Sequence, residues 1–327
     1  MATRERGAGP GGISPAGDAA ATPGQAADAG AEGTEGTAGT AGAAGAGSSL
    51  RLIVRTFADN RAAVIGLGLV IAITLFCFIG PLVYRTNQVT VQLGIAKLPP
   101  SARYPLGTDP SGYNILGRLM LGGQSSLELG FAVSVATTVL GTLYGAIAGL
   151  AGGVVDAVMM RVIDTFLAVP ALVLLLILVN IFTPDLWVII LLLTFLSWLA
   201  IARLVRGEVL TLRTREFVQA ARMMGAGRQR IVLRHLVPNA IGVIVVNATF
   251  TVADAILTLS ALSFLGLGLP PPQADWGGML SNGLNYLFDG YWWMVYPPAI
   301  ILIITVVAFN LIGDAIRDSL DVRLQRP

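Results

Sequence analysis

The side chains that carry most protein chemistry are scarce in this sequence. Of 327 residues, one is a histidine, His235, one a cysteine, Cys77, and one a lysine, Lys97. A single cysteine excludes an intrachain disulfide and a zinc site built from thiolates. A single histidine excludes a catalytic histidine pair and a multi-histidine metal site. A Walker A loop needs Gly-Lys-Ser/Thr after a glycine-rich turn to hold phosphates. Lys97 stands in GIAKLPP, so the chain does not bind ATP in that way. No catalytic residue, metal-ligand set or cofactor is expected on this chain.

The remaining candidates are carboxylates and amides in apolar surroundings. A charged group at mid-membrane costs ~2.5–3.5 kcal/mol on insertion scales and usually faces a bundle interior or water. Glu128, Asp164 and Asp254 are such groups. Asp156, Met160 and Asp164 recur at i, i+4 and i+8, with Arg161 three residues before Asp164, and predict a structural ion pair. Asp254 has Asn247, Thr249, Thr251 and Thr258 near it. Asn247, Thr251 and Asp254 either line a wet pathway or hydrogen-bond a neighbouring helix; spacing leaves both open. Gly141, Gly145 and Gly149, one turn apart, predict close helix packing. Cys77, inside an apolar run, reads as a small packing residue.

The elements that must position these residues are membrane helices. The chain is 54% hydrophobic and 12% charged, against about 25% charged in soluble domains. Apolar runs of about 20 residues recur, each able to cross a hydrocarbon core of roughly 30 Å. Six spans are predicted, at about 62–83, 126–151, 154–181, 186–205, 241–265 and 293–313. Residues 1–49 are rich in Ala and Gly with scattered acids, and are expected to form a disordered cytoplasmic tail. No apolar stretch follows MATRER, so signal cleavage is not expected. The chain then divides into a juxtamembrane segment and first span, 50–83, a first external loop, 84–120, a core, 121–314, and a cytoplasmic C-terminal tail, 315–327. Arginine and lysine sum to 17 on one side of these spans and 4 on the other, which places both termini in the cytoplasm.

The fourth-to-fifth loop holds most of that bias. In EFVQAARMMGAGRQRIVLRHLVPNA, Phe217, Ala220, Ala221 and Met224 fall at i, i+3, i+4 and i+7, one face of a helix. Gly225 and Gly227 are expected to stop it, and RQRIVLRHL leads to Pro238. Two readings stand: a helix lying among anionic headgroups, or a docking helix whose small face lets a soluble partner approach. The proline-rich loops, with Pro99, Pro100, Pro105 and Pro110, then Pro270, Pro271, Pro272 and Trp276, read as turns with a tryptophan anchored at the interface.

At this loop the sequence resembles a known family. Gln219-Ala220-Ala221, three residues, Gly225, nine residues, then His235-Leu236-Val237-Pro238 resembles the EAA loop of ATP-binding-cassette importer permeases. The longer string is similar to the dipeptide, oligopeptide and nickel subfamily. So are FADNRAAVIGLGLV, YPLGTDPSGYNILGRLMLGGQSSLELG, LSFLGLGLPPPQADWGGML and AFNLIGDAIRDSLDVRL, in the same order along residues 51–326. Three positions depart from the pattern: Gln219 replaces a glutamate, Tyr113-Asn114 an Arg-Asp, and Val322 a proline.

The resemblance implies an all-α polytopic membrane protein, with six transmembrane helices in the type I importer permease fold. It implies a non-catalytic subunit in a bacterial cytoplasmic membrane, forming half of a pathway for di- or oligopeptides. Its partners would be a paralogous permease, two cytoplasmic ATPases that hold ATP and Mg, an external solute-binding protein that lands on the proline-rich loops, and membrane lipid, with no nucleic acid. Within a coupling loop at 211–238, Glu216, Phe217, Gln219, Ala220, Ala221, Met224, Gly225, Arg228, His235 and Pro238 would carry the ATPase contact. The same pattern serves nickel, glutathione and some sugars. A secondary transporter would leave the docking loop without a role, and an intramembrane protease lacks its histidine partner.

Overall fold

The structure, a computed structural model, describes residues 57–182 and 185–324. Of residues 321–324 and of Arg222, Arg228, Gln229, Leu233 and His235 it describes the backbone alone. The expected tail 1–49 lies outside the described residues.

The described chain is helical: α1 (Arg61–Val83), α2 (Ile115–Ala151), α3 (Gly153–Leu167), α4 (Ala171–Ile181), α5 (Leu186–Leu212), α6 (Glu216–Met223), α7 (Arg228–Ile231), α8 (Val237–Phe264), α9 (Trp276–Leu284) and α10 (Tyr296–Leu324). Among the described residues five helices are long and apolar enough to cross a membrane, and six if α3 and α4, which meet at a 78° bend, are taken as one span. The third span was expected to be continuous. It breaks at Ala168–Pro170, because Pro170 lacks an N–H and disfavours helical geometry at Val169.

Two helices run across the segment edges expected at 121 and 315. Asn114 caps α2, its Oδ1 accepting the N–H groups of Leu116 at 2.9 Å and Gly117 at 3.3 Å. The helix therefore starts at Ile115, ahead of the core edge expected at 121, and its 37 residues span roughly 55 Å. At the other end α10 runs on to Leu324, so the segment expected as a tail from 315 is helix as far as it is described.

Glycines set the closest helix contacts. A Cβ on Gly141 would lie 2.7 Å from Ile201, on Gly145 2.3 Å from the Ala202 carbonyl oxygen, and on Gly149 2.7 Å from Val209. The stripe of small residues is thus the surface on which α2 packs against α5. Cys77 is fully buried and faces Gly123 of α2.

The helix ends away from the 211–238 loop are tied together by the two long loops. Trp293 Nε1 donates to the Thr108 carbonyl at 3.4 Å, and Arg118 Nη1 to the Pro272 carbonyl at 2.6 Å. Lys97 sits 4.2 Å from the Tyr286 ring centroid, within cation–π range. Trp276, expected at the membrane interface, is fully buried and donates to the Leu119 carbonyl at 3.0 Å. The exposed tryptophans of this end are Trp187 and Trp292.

Candidate functional site

The arginine-rich loop begins with cations that serve the fold. Arg206 grips Asp156 with two bonds, Nε to Oδ1 at 2.5 Å and Nη2 to Oδ2 at 2.6 Å. Arg203 pairs with Asp164, and Arg213 Nη1 donates to the Gly149 carbonyl at 3.1 Å. The ion pair expected between Arg161 and Asp164 is therefore replaced by pairs across α3 and α5. Sequence spacing reveals partners one turn away, but not partners about 40 or 50 residues on, as here. Arg215, Arg230 and Arg234 remain exposed.

After Arg213 the chain turns into α6. Val218 joins Val205, Val209, Ile231, Leu236 and Ile244 in one buried cluster, and Ala221, on the same helix, is buried as well. This cluster seats the loop on the ends of α5 and α8. Ala221 is 4% exposed, so the expectation that it meets a partner fails: it packs within its own chain. The exposed face is Glu216, Phe217 at 42%, Ala220, Met223 at 89% and Met224 at 81%. Val218 and Met223 are missing from the expected set. An eight-residue helix with apolar residues on two faces does not reveal by spacing which one is covered.

Gln219 Nε2 donates to the Thr214 carbonyl at 3.1 Å, closing the turn before α6. An ionised carboxylate has no proton for that bond, so glutamine has its own local use here. Gly225 has φ +81°, and a Cβ there would meet nothing within 4 Å. Its requirement is conformational: the Ala226 N–H reaches the Ala221 carbonyl at 3.0 Å, the six-to-one bond of a Schellman ending. Gly227 does not share this role; it opens α7, its carbonyl accepting Ile231 N–H at 3.1 Å. The backbone of Arg228 lies in α7 and that of His235 in a wide π turn, Val232–Leu236. Pro238 is exposed in the first turn of α8, where a missing N–H has no cost.

The polar residues of α8 lie apart from the loop but on the helix that leaves it. Asp254 is 16 residues beyond Pro238, or roughly 24 Å along a straight helix. Asn247 Nδ2 donates to the Val243 carbonyl at 2.8 Å and Thr251 Oγ1 to the Asn247 carbonyl at 2.8 Å. Asp254 is exposed on the bundle, and among the described residues its carboxylate has no hydrogen-bond or ion-pair partner. No described group of three or more His, Cys, Asp or Glu could hold a metal ion.

A concavity of about 100 Å³ opens among the two long loops, at the end of the bundle away from the 211–238 loop, with Asp109, Arg118, Gln273, Asp275 and Asn282 among its walls. Arg118 stacks 4.2 Å from the Tyr113 ring centroid there. Burial raises the Asp109 carboxyl above its ordinary pKa, against hydrogen bonds from the Tyr113 and Ser111 backbone and the charge of Arg118.

Comparison with known proteins bears on both regions. Residues 141–326 match the family described as binding-protein-dependent transport system inner membrane component. Residues 48–100 match the N-terminal TM domain of oligopeptide transport permease C. The oligopeptide transport system permease protein OppC of Bacillus subtilis is 39% identical over 270 residues, covering 83% of this chain and 88% of that protein. The dipeptide transport system permease protein DppC of the same organism is 38% identical over 272 residues, covering 83% and 85%. OppC of Salmonella typhimurium is 40% identical over 269 residues, covering 82% and 89%.

Proposed function

The chain belongs to the family of inner-membrane components of binding-protein-dependent transport systems, and from that premise we propose a division of labour within it. It is a multi-pass permease subunit of a peptide importer. Its 211–238 loop receives motion from cytoplasmic ATPases, which hold the ATP and Mg; α8 carries that motion to the pathway; the chain itself catalyses no reaction. A paralogous permease completes the pathway, and an external solute-binding protein delivers the peptide to the two long loops, which form the outer layer. Both termini face the cytoplasm, on the inner side of a bacterial cytoplasmic membrane.

The observation that supports this most is the shape of the loop. One face of α6 is turned into the bundle, with Val218 in its buried cluster and Ala221 buried. The opposite face offers Phe217, Ala220, Met223 and Met224 to a partner, as a short helix meant to be gripped requires. Beyond the turn at Gly225–Gly227, α7, the π turn and α8 follow one another without a break, so displacement of α6 passes across that turn and then reaches Asp254 along helix. Asn247, Thr251 and Asp254 then line the pathway, because an unpaired carboxylate at that depth seldom faces lipid.

The test is transport. With the chain, its sister permease, the two ATPases and the binding protein in vesicles, a labelled oligopeptide should accumulate when ATP is supplied on the loop side. Vesicles lacking this chain should accumulate none. ATP-independent accumulation by this chain alone would instead identify a secondary transporter.

A further inference from the structure

Among the residues on the uncovered side of α8, Asp254 is the one charged group, and its carboxylate has no partner among the described residues. The Asn247 amide and the Thr251 hydroxyl each donate to a carbonyl one turn back, at 2.8 Å in both cases. Thr251 has thereby used its single proton and offers only lone pairs outward. Three residues on stands the Asp254 carboxylate, with oxygens that only accept. This part of the stripe is a row of acceptors carrying one negative charge.

Among the described residues no cation answers it. Between Arg234 and Arg317 the sequence contains neither arginine nor lysine. Arg203 and Arg206 are held by Asp164 and Asp156, and Arg118 is held against Pro272 and Tyr113. A carboxylate at this depth requires water and a counter-charge. A peptide in transit brings one: its α-ammonium group has three N–H donors, the complement of such a row, and carboxylate–ammonium bonds are the strong, charge-assisted kind.

We propose that Asp254 is a passing site for the peptide's terminal ammonium group, with Thr251 and Asn247 as flanking acceptors. This rests on reading the α8 stripe as pathway lining. It makes the permease itself a second filter, after the binding protein, for peptides with a free amino terminus.

The experiment uses the complete transporter in vesicles and compares uptake of one tripeptide with that of its N-acetylated form. Both peptides are measured on the same vesicles, so the ratio cancels the amount of assembled protein. Comparing ratios between variants cancels the binding protein's own preference. Asp254→Asn should lower the free-amine to acetylated ratio about tenfold, equivalent to about 1.4 kcal/mol, and Asp254→Glu should restore much of it. If Asp254→Asn slows both peptides equally, the residue lines the pathway without recognising the ammonium group, and this proposal fails alone. If neither rate changes, the pathway reading fails with it. If the sister permease no longer co-purifies, the counter-charge belongs to that subunit and the proposal is overturned.

Discussion

Asp275 shows how much a single buried side chain fixes at the end of the bundle away from the 211–238 loop. Its Oδ1 accepts the Gly278 N–H at 2.9 Å and caps α9. Burial pushes its carboxyl above the ordinary carboxylate range, against the bond that the Gly278 backbone donates to it. The folded state therefore keeps this proton to a higher pH than the unfolded chain does. From the ordinary carboxylate pKa up to the raised one, stability falls as pH rises. Asp275→Asn keeps a capping oxygen and removes the titration. Thermal unfolding of the detergent-solubilised variant at about pH 4.5 and pH 7.5 should show a smaller difference than the parent; an equal difference would place the dependence elsewhere. None of this was legible in QADWGG. The sequence marks Trp276 as an aromatic near a membrane end, and nothing in its neighbours says that its N–H answers Leu119. Gly225 was legible, because a glycine closing an amphipathic stretch has one common use.

At the scale of elements, periodicity served where small residues or a motif interrupted the apolar runs. The four-residue spacing of Gly141, Gly145 and Gly149 identified the packing surface of α2, since only close backbone approach uses such a row. The consequence is testable. Gly145→Leu would drive a Cβ to 2.3 Å from the Ala202 carbonyl oxygen, and overpacking of this kind typically costs 1–3 kcal/mol or more, so about 2 kcal/mol is expected here. Gly207→Leu, on α5 where a Cβ meets nothing within 4 Å, should change little. Melting of the two purified variants checks this, and equal melting temperatures would remove α2 and α5 as a tightly packed pair. The α3–α4 break was not legible as a break. The α4 half, ALVLLLILVNI, is apolar on nearly every side and has no periodicity to lose, and Pro170 is compatible with a kinked span as well as with two helices. The inward turn of Val218 and Ala221 was hidden for a related reason: both faces of α6 carry apolar residues, and burial is decided by α5 and α8.

At the scale of the whole molecule, composition and the order of motifs gave the class and family, while the layer built by the two long loops came only from the structure. Its ties join residues 154, 157 and 185 positions apart in the sequence, and one sequence contains no signal for such pairings. The account joins an outer layer, a bundle and a cytoplasmic loop into one transmission. Its central claim is that the exposed face of α6 receives the motion of an ATPase. Ala220 tests that claim cleanly, since it is exposed while Ala221, one residue on, is buried in the chain's own core. Ala220→Glu places a bulky charge on the docking face and leaves the seat intact, whereas Ala221→Glu damages the seat itself. The decisive measurement is ATPase co-purification together with peptide-stimulated ATP hydrolysis in vesicles carrying Ala220→Glu. The account predicts normal insertion and pairing with the sister permease, loss of most bound ATPase, and hydrolysis that no longer responds to peptide. Full ATPase binding with normal coupled uptake would contradict it and leave α6 as a helix lying on the membrane surface.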